Sequence, residues 1–149
     1  RLHRLLNPVH TGLTPQLAAR PGVDAGLVVA HKASLDLAGR LRLLAHPVSL
    51  ATGESSGGQE DYMSMAFPAI ARLYEMADLV TAVLAYELLA GLVALDPRPN
   101  RPGAGFCAVR AYFGEIIAPL TRDRSPGPDV ERLLQEFETT EFYQWLERL

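Results

Sequence analysis

The residues best suited to chemistry stand together in residues 57–65, Gly-Gly-Gln-Glu-Asp-Tyr-Met-Ser-Met, just ahead of a long apolar run. A carboxylate among apolar side chains, such as that of Glu60, can exchange protons with a ligand or hold its ammonium group or ring nitrogen. Gln59 adds a neutral hydrogen-bond donor and acceptor. The junction between this polar loop and the apolar run is therefore the candidate site.

Glu60 is followed directly by a second carboxylate, Asp61. Adjacent residues on a helix point about 100° apart, so the two carboxylates cannot act together as a paired acid and base. Their structural alternative is to compensate the positive end of the helix dipole from its first turn. On the residues alone, both the chemical and the structural role stay open for Glu60.

The histidines and the cysteine form no metal-binding pattern. His3, His10, His31 and His46 lack the short spacings of metal sites, and the chain has one cysteine. We therefore predict no metal site. His46 differs from the other three because it precedes Pro47 at the expected end of a helix. It is either a polar group of the site or a cation that stabilises the negative end of the helix dipole.

Composition predicts one α-helical domain over residues 1–149. The 149 residues are 48% hydrophobic, and the net charge of −3 comes with scattered basic residues, which argues against a nucleic-acid surface. The single cysteine cannot form an internal disulfide, so a cytoplasmic location is the default. The chain opens directly into helix-like sequence, and we expect it to be the later part of something longer.

Apolar spacings of three and four residues predict helices separated by proline and glycine clusters. The predicted helices cover residues 1–6, 25–45, 59–95, 104–118, 130–138 and 141–149. Asp24 is the expected N-cap of the second helix, and the proline-rich residues 96–103 end the third. No stretch alternates as a strand does, so the predicted class is all-α, a bundle of long helices.

The helix predicted over residues 59–95 has two unusual features. Pro68 would break a backbone hydrogen bond inside it, so we expect either a kink there or a true start near Pro68. Beyond Pro68 the helix is apolar on nearly every side, which requires other helices around it. Residues 79–95 approach the length of a membrane span, but Glu87 near their middle favours a buried core helix.

Residues 59–65 resemble the Gln-Glu-Asp-His-Val-Ser-Met segment of histidine ammonia-lyase and its relatives, the aromatic amino acid ammonia-lyases and aminomutases. The resemblance covers nearly the whole chain, in several blocks that keep the family's order. These blocks are residues 13–17, 26–30, 45–49, 72–77, 87–92 and 120–124. Such a series indicates the family more strongly than it indicates a substrate.

The resemblance implies that catalysis requires a partner chain. In that family an electrophile, methylidene-imidazolone, forms from an Ala-Ser-Gly triplet in the N-terminal half and removes ammonia from an aromatic amino acid. This sequence contains no such triplet, so the cofactor is expected in an N-terminal ammonia-lyase-like partner. The family tyrosine that acts as a base belongs to the same missing part. Long helices form the family's tetrameric core, and its active sites are shared between subunits.

To the present chain the resemblance assigns Glu60 as the catalytic residue that contacts the substrate. Gln59, Tyr62 and His46 are the corresponding candidates for substrate binding. Tyr62 stands where histidine-type members carry His, which speaks against histidine as the substrate. Arg40 replaces a common Glu, and it either faces the site, where it would bind a carboxylate or disable lyase chemistry, or faces solvent. Gly57-Gly58 replaces a common Ala-Asn pair.

Two hypotheses follow. The first is that the chain is the C-terminal subunit or fragment of a carbon–nitrogen lyase or aminomutase, active only with its N-terminal partner on a small aromatic amino acid. The second is a non-catalytic structural or regulatory subunit that retains the helical scaffold. A plain helical interaction domain is disfavoured by the matched blocks. The choice between elimination and amino-group migration depends on residues outside this sequence.

Overall fold

The computed structural model describes residues 1–59, 62–95 and 103–149. Within these ranges the chain forms seven α-helices and no β-strand, which confirms the all-α class. The helices are α1 (Leu2–Leu5), α2 (Pro8–Thr11), α3 (Val28–Leu44), α4 (Ala66–Leu95), α5 (Ala104–Gly114), α6 (Gly127–Phe137) and α7 (Thr140–Leu146). The predicted break at 96–103 lies outside the described residues except for Gly103.

The second half of α4 is the centre of the fold, with α1, α3, α5 and α6 packed on it. Leu89 is 1% exposed and Ala90 is fully buried. Their cluster continues into Leu6 of the N-terminal segment and Leu133 of α6, which are 1% and 0% exposed. Burying each such leucine contributes about 1.5–3 kcal/mol, so this cluster is the main source of stability.

The first half of α4 lies outside that core. Phe67 is 87% exposed, Leu73 65% and Tyr74 72%. Helix α3 contacts this half through the ion pair of Arg40 with Glu75, so the expected surrounding helices cover it only in part. By length and composition, α4 is also long and apolar enough to cross a membrane. The predicted lack of a membrane span stays a prediction.

The start of α4 follows the second of the two alternatives for Pro68. The helix begins at Ala66, which places Pro68 in the first turn, where a missing backbone N–H costs nothing. No acidic residue lies in that first turn. The prediction that Glu60 and Asp61 compensate the dipole from the first turn of this helix is therefore wrong. Both residues lie outside the described part of the chain.

The start of α3 also differs from the prediction. Its N-cap is Leu27, which provides no side-chain cap, so the expected capping role of Asp24 is wrong. Asp24 instead accepts two hydrogen bonds of 2.8 Å from the guanidinium of Arg20. These bonds hold the pKa of Asp24 below its usual value. The carboxylate of Asp24 is therefore bonded to Arg20, four residues earlier, and does not cap α3.

A distant carboxylate, that of Asp123, bonds to the backbone ahead of α3. Its two oxygens accept from the backbone N–H groups of Ala25 and Gly26 at 2.6 and 2.9 Å. The next residue, Arg124, donates to Asp129 Oδ2 at 2.8 Å and to main-chain carbonyls after α5. The block Leu-Thr-Arg-Asp-Arg at 120–124 thus joins the start of α3 to α6.

Tyr112 of α5 bonds to Glu136 of α6 and stacks on Trp145 of α7. The phenol donates a hydrogen bond to the Glu136 carboxylate, and the two rings of Tyr112 and Trp145 lie 4.5 Å apart. Thr139 donates to Glu136 as well and caps α7 through the N–H of Phe142. The hydrogen bond to Glu136, with desolvation second, raises the pKa of Tyr112 to about 12.

We expect this contact to make stability depend on pH above 10. Because the folded-state pKa of about 12 exceeds the ordinary 10.0, the bond contributes fully below pH 10 and is lost as pH rises towards 12. Below pH 10, the thermal midpoint of Tyr112→Phe should therefore be lower than that of the parent protein. Above pH 10, the two midpoints should approach each other. Tyr143→Phe, on an exposed tyrosine of α7, is the control. A parent–variant difference independent of pH would contradict the assignment.

Candidate functional site

The segment between α3 and α4, residues 45–65, carries all four predicted site residues. His46 lies at its beginning, and Gln59 and Tyr62 lie towards its end. Glu60 lies outside the described residues, so its role stays a prediction. Two 3₁₀ turns, Val48–Ala51 and Ser56–Gly58, give the segment its local structure.

His46 follows α3 directly and is exposed. Its backbone N–H donates to Leu43 O at 3.3 Å, which extends the last turn of the helix. Its carbonyl accepts a 2.7 Å hydrogen bond from Nη1 of Arg72 on α4. The main chain at His46 is therefore fixed, while its imidazole is left to solvent.

A tight turn precedes Gln59. Ser56, Gly57 and Gly58 all have positive φ, at 54°, 67° and 83°, and two short-range bonds support the turn: Gly58 N donates to Ser55 O and Gln59 N to Ser56 O. Glycine adopts this left-handed conformation without strain, which explains the glycine pair at this position. Gln59 leaves the turn exposed.

Two further hydrogen bonds close the loop at its base. The hydroxyl of Thr52 donates to Met63 O at 2.8 Å, and Met63 N donates to Gly53 O at 3.3 Å. Tyr62, which directly precedes Met63, is 81% exposed. The structure thus places Gln59 and Tyr62 on one loop that ends close to its own beginning.

This loop by itself does not enclose a site. Gln59, Tyr62 and Met63 are all exposed, whereas a carboxylate acts strongly on a substrate only where water is excluded. A second surface must cover the loop before it can do chemistry. Thr52 and Arg72 were not among the predicted residues, because their contacts, to Met63 O and His46 O, are with residues 11 and 26 positions away.

Arg40 does not point into this loop. Its Nη2 lies 3.5 Å from Oε1 of Glu75, and both side chains are about half exposed, at 51% and 50%. The pair joins α3 to α4 at the protein surface. Of the two alternatives for Arg40, the structure favours the solvent-facing one.

The residues of this chain do not fit the methylidene-imidazolone group. The sequence has no Ala-Ser-Gly triplet, and its one Ala-Ser pair, Ala33-Ser34, is followed by Leu35. Ser34 is buried in α3, where its hydroxyl donates to His31 O at 2.8 Å. Cyclisation requires a tight turn that a helix interior cannot adopt. Among the described residues, no cluster of three or more potential metal ligands is present.

A cleft of about 420 Å³ lies elsewhere on the chain, lined by residues 12–14, 17–19, 93 and 119–121. Its lining consists of glycine, alanine, proline, aliphatic and threonine side chains. These carry no titratable group, so the cleft offers no acid–base chemistry. His46, Gln59 and Tyr62, the predicted site residues that the structure describes, do not border it.

Comparison of the sequence with known proteins points to one family. The sequence model described as aromatic amino acid lyase matches residues 1–115. A histidine ammonia-lyase of Sorangium cellulosum (strain So ce56) is 37% identical over 132 residues, which are 87% of this chain and 26% of that protein. The chain therefore spans about a quarter of the length of this relative.

Solved structures show the same fold. Histidine ammonia-lyase from Trypanosoma cruzi superposes with a TM-score of 0.89 at 23% identity, over 99% of this chain and 29% of that one. A tyrosine aminomutase mutant with bound ligand superposes with a TM-score of 0.87 at 24% identity, over 99% of this chain and 28% of that one. The seven helices thus match part of the ammonia-lyase helical fold.

Proposed function

The chain belongs to the aromatic amino acid lyase family, and on this basis we propose that it forms the C-terminal part of an ammonia-lyase or aminomutase. In this proposal it works in an oligomer with an N-terminal ammonia-lyase-like chain. That partner supplies the methylidene-imidazolone electrophile. The present chain supplies one wall of the shared active site, and the substrate is an aromatic amino acid.

The observation that carries the proposal is the exposed first half of α4 in a chain that spans only a quarter of its relative. Phe67, Leu73 and Tyr74 on this half of the helix are 87%, 65% and 72% exposed. An apolar surface of this kind is typical of an interface. It lies directly after the candidate loop, so a partner that covers it also reaches the loop.

Within the proposed site, Glu60 contacts the substrate as a negative charge. Gln59 and Tyr62, which flank the acidic pair on the loop, supply neutral hydrogen-bonding groups. His46 stands at the beginning of the same loop. A carboxylate at Glu60 suits the ammonium group of an amino acid, and the aromatic ring of Tyr62 suits an aromatic side chain.

The proposal predicts which chain accompanies this one. When the chain is purified from its native source, intact mass spectrometry should find a partner that contains Ala-Ser-Gly. Because cyclisation of the triplet releases water, the partner should be lighter than its sequence mass. A partner that contains Ala-Ser-Gly but has its full sequence mass would contradict catalysis in the isolated assembly.

The alternative is a structural or regulatory subunit. A partner of the same family without any Ala-Ser-Gly triplet would support that alternative and rule out the lyase. The exposed half of α4 suits either case, because both need a helical partner. The mass measurement therefore separates the two functions, whereas evidence of assembly alone would not.

A further inference from the structure

Three apolar side chains of the loop that carries Gln59 and Tyr62 are exposed: Leu50, Tyr62 and Met63, at 73%, 81% and 54%. Among the described residues, the bonds from the Thr52 hydroxyl to Met63 O and from Met63 N to Gly53 O join the two ends of the loop to each other. The position of the loop therefore depends on what holds these ends.

Arg72 of α4 holds the first of these ends. Its Nη1 donates to the His46 carbonyl at 2.7 Å, and a charged donor makes such a bond shorter and stronger than a neutral one. His46 lies just past the last turn of α3, where unpaired carbonyls and the helix dipole attract a cation. The guanidinium thus lies near the negative end of α3 and fixes the start of the loop.

The position of Arg72 on α4 also supports this role. Arg72, Met76 and Leu79 are less exposed than their neighbours, and their spacings of four and three residues put them on one face of the helix. Next to this face, Glu75 takes the ion pair from Arg40 of α3. Two polar contacts therefore fix α3 against α4 at the end from which the loop leaves.

We propose that Arg72 is a positioning residue, which fixes the main chain at His46 and through it the loop that presents Gln59 and Tyr62 to the substrate. This inference rests on the proposed function for its catalytic consequence. Its structural part, the attachment of the loop, does not. Arg72 itself touches the main chain and is not placed in contact with the substrate.

The test compares three variants in the purified native assembly. Arg72→Met removes the charge and the donor, whereas Arg72→Lys keeps a cation that can still donate to one carbonyl. Arg42→Met is the matched control, because Arg42 is an exposed cation in the last turn of α3. Hydrogen exchange of the Gly58 and Met63 amides should be on the order of 10-fold faster in Arg72→Met than in Arg42→Met.

The catalytic consequence is measured per assembled complex, with L-histidine, L-phenylalanine and L-tyrosine assayed in parallel. A misplaced loop should lower kcat/KM on the order of 10- to 100-fold in Arg72→Met, and Arg72→Lys should recover most of it. A purely structural contact would lower the yield of assembly and leave the activity of each complex unchanged.

The two proposals fail in different ways. A parent complex that is inactive on all three amino acids would refute the proposed function, and the exchange measurement would then still decide whether Arg72 attaches the loop. Equal exchange of the Gly58 and Met63 amides in Arg72→Met and Arg42→Met would overturn the positioning role, whatever the activity.

Discussion

Gly26→Ala should lower the free energy of unfolding by about 3 kcal/mol or more, or prevent folding altogether. Gly26 has a φ of +63°, and a methyl group there would lie 2.7 Å from Ala18 N and 2.9 Å from Ala18 Cα, and closer still to Gln16 O. These are main-chain atoms, which cannot move aside as a flexible side chain can. A shift of these atoms would also break the neighbouring hydrogen bond from Leu27 N to Gln16 O, which is 2.8 Å long.

Gly12→Ala is the matched control for the backbone conformation. Gly12 has nearly the same φ, +67°, but a methyl group there would meet nothing within 4 Å. The Gly12→Ala variant should therefore lose only about 1–2 kcal/mol of unfolding free energy, which is the cost of alanine in the left-handed conformation. Urea unfolding at one fixed protein concentration measures both variants. Equal losses of unfolding free energy in the two variants would show that the close approach of residues 16–18 to Gly26 adds nothing to the cost of Gly26→Ala.

Helix positions were predictable where periodicity and breakers agree. The prediction of residues 25–45 matches α3, Val28–Leu44, because apolar residues at spacings of three and four end before Pro47. For α4 the sequence left two alternatives, and the structure begins at Ala66. A proline is compatible with a first turn and incompatible with an interior, so the alternative without a kink is the one that forms.

The error at the start of α3 has one local cause and one distant cause. Asp24 had the right residue type and place for an N-cap, but Arg20 binds it, and Asp123 bonds the nearby N–H groups from almost a hundred positions away. A local pattern contains no information on such a partner. The need for glycine at position 26 was not predicted either, since it depends on the close approach of main-chain atoms of Gln16 and Ala18.

The candidate site at residues 57–65 stays a prediction from the sequence, whereas the attachment of this segment was found in the structure. The glycine pair and the acidic pair marked residues 57–65, and the resemblance to a family selected Glu60 among them. Arg72 came from the structure alone, because its role depends on a carbonyl 26 residues away. Side-chain types indicate what a loop can do, but the contacts that position the loop are non-local.

Glu60→Gln should reduce kcat/KM of the assembled complex by about 10- to 100-fold on an aromatic amino acid, while assembly stays intact. Glutamine keeps the size of the side chain and removes its charge. A hydrogen bond to a charged group contributes about 1.5–3 kcal/mol, and losing that amount in the transition state accounts for the expected change in rate. Steady-state kinetics per complex, with the assembly checked by native mass spectrometry, measures both parts.

Glu54→Gln distinguishes a specific role of Glu60 from a general effect of charge on the loop. Glu54 is an exposed glutamate of the same loop, so its replacement changes the net charge equally and should leave kcat/KM near the parent value. A capping role for Glu60 in α4 is already excluded, because that helix begins at Ala66 with no acid in its first turn. Equal kcat/KM values for Glu60→Gln and Glu54→Gln would contradict a specific contact between Glu60 and the substrate.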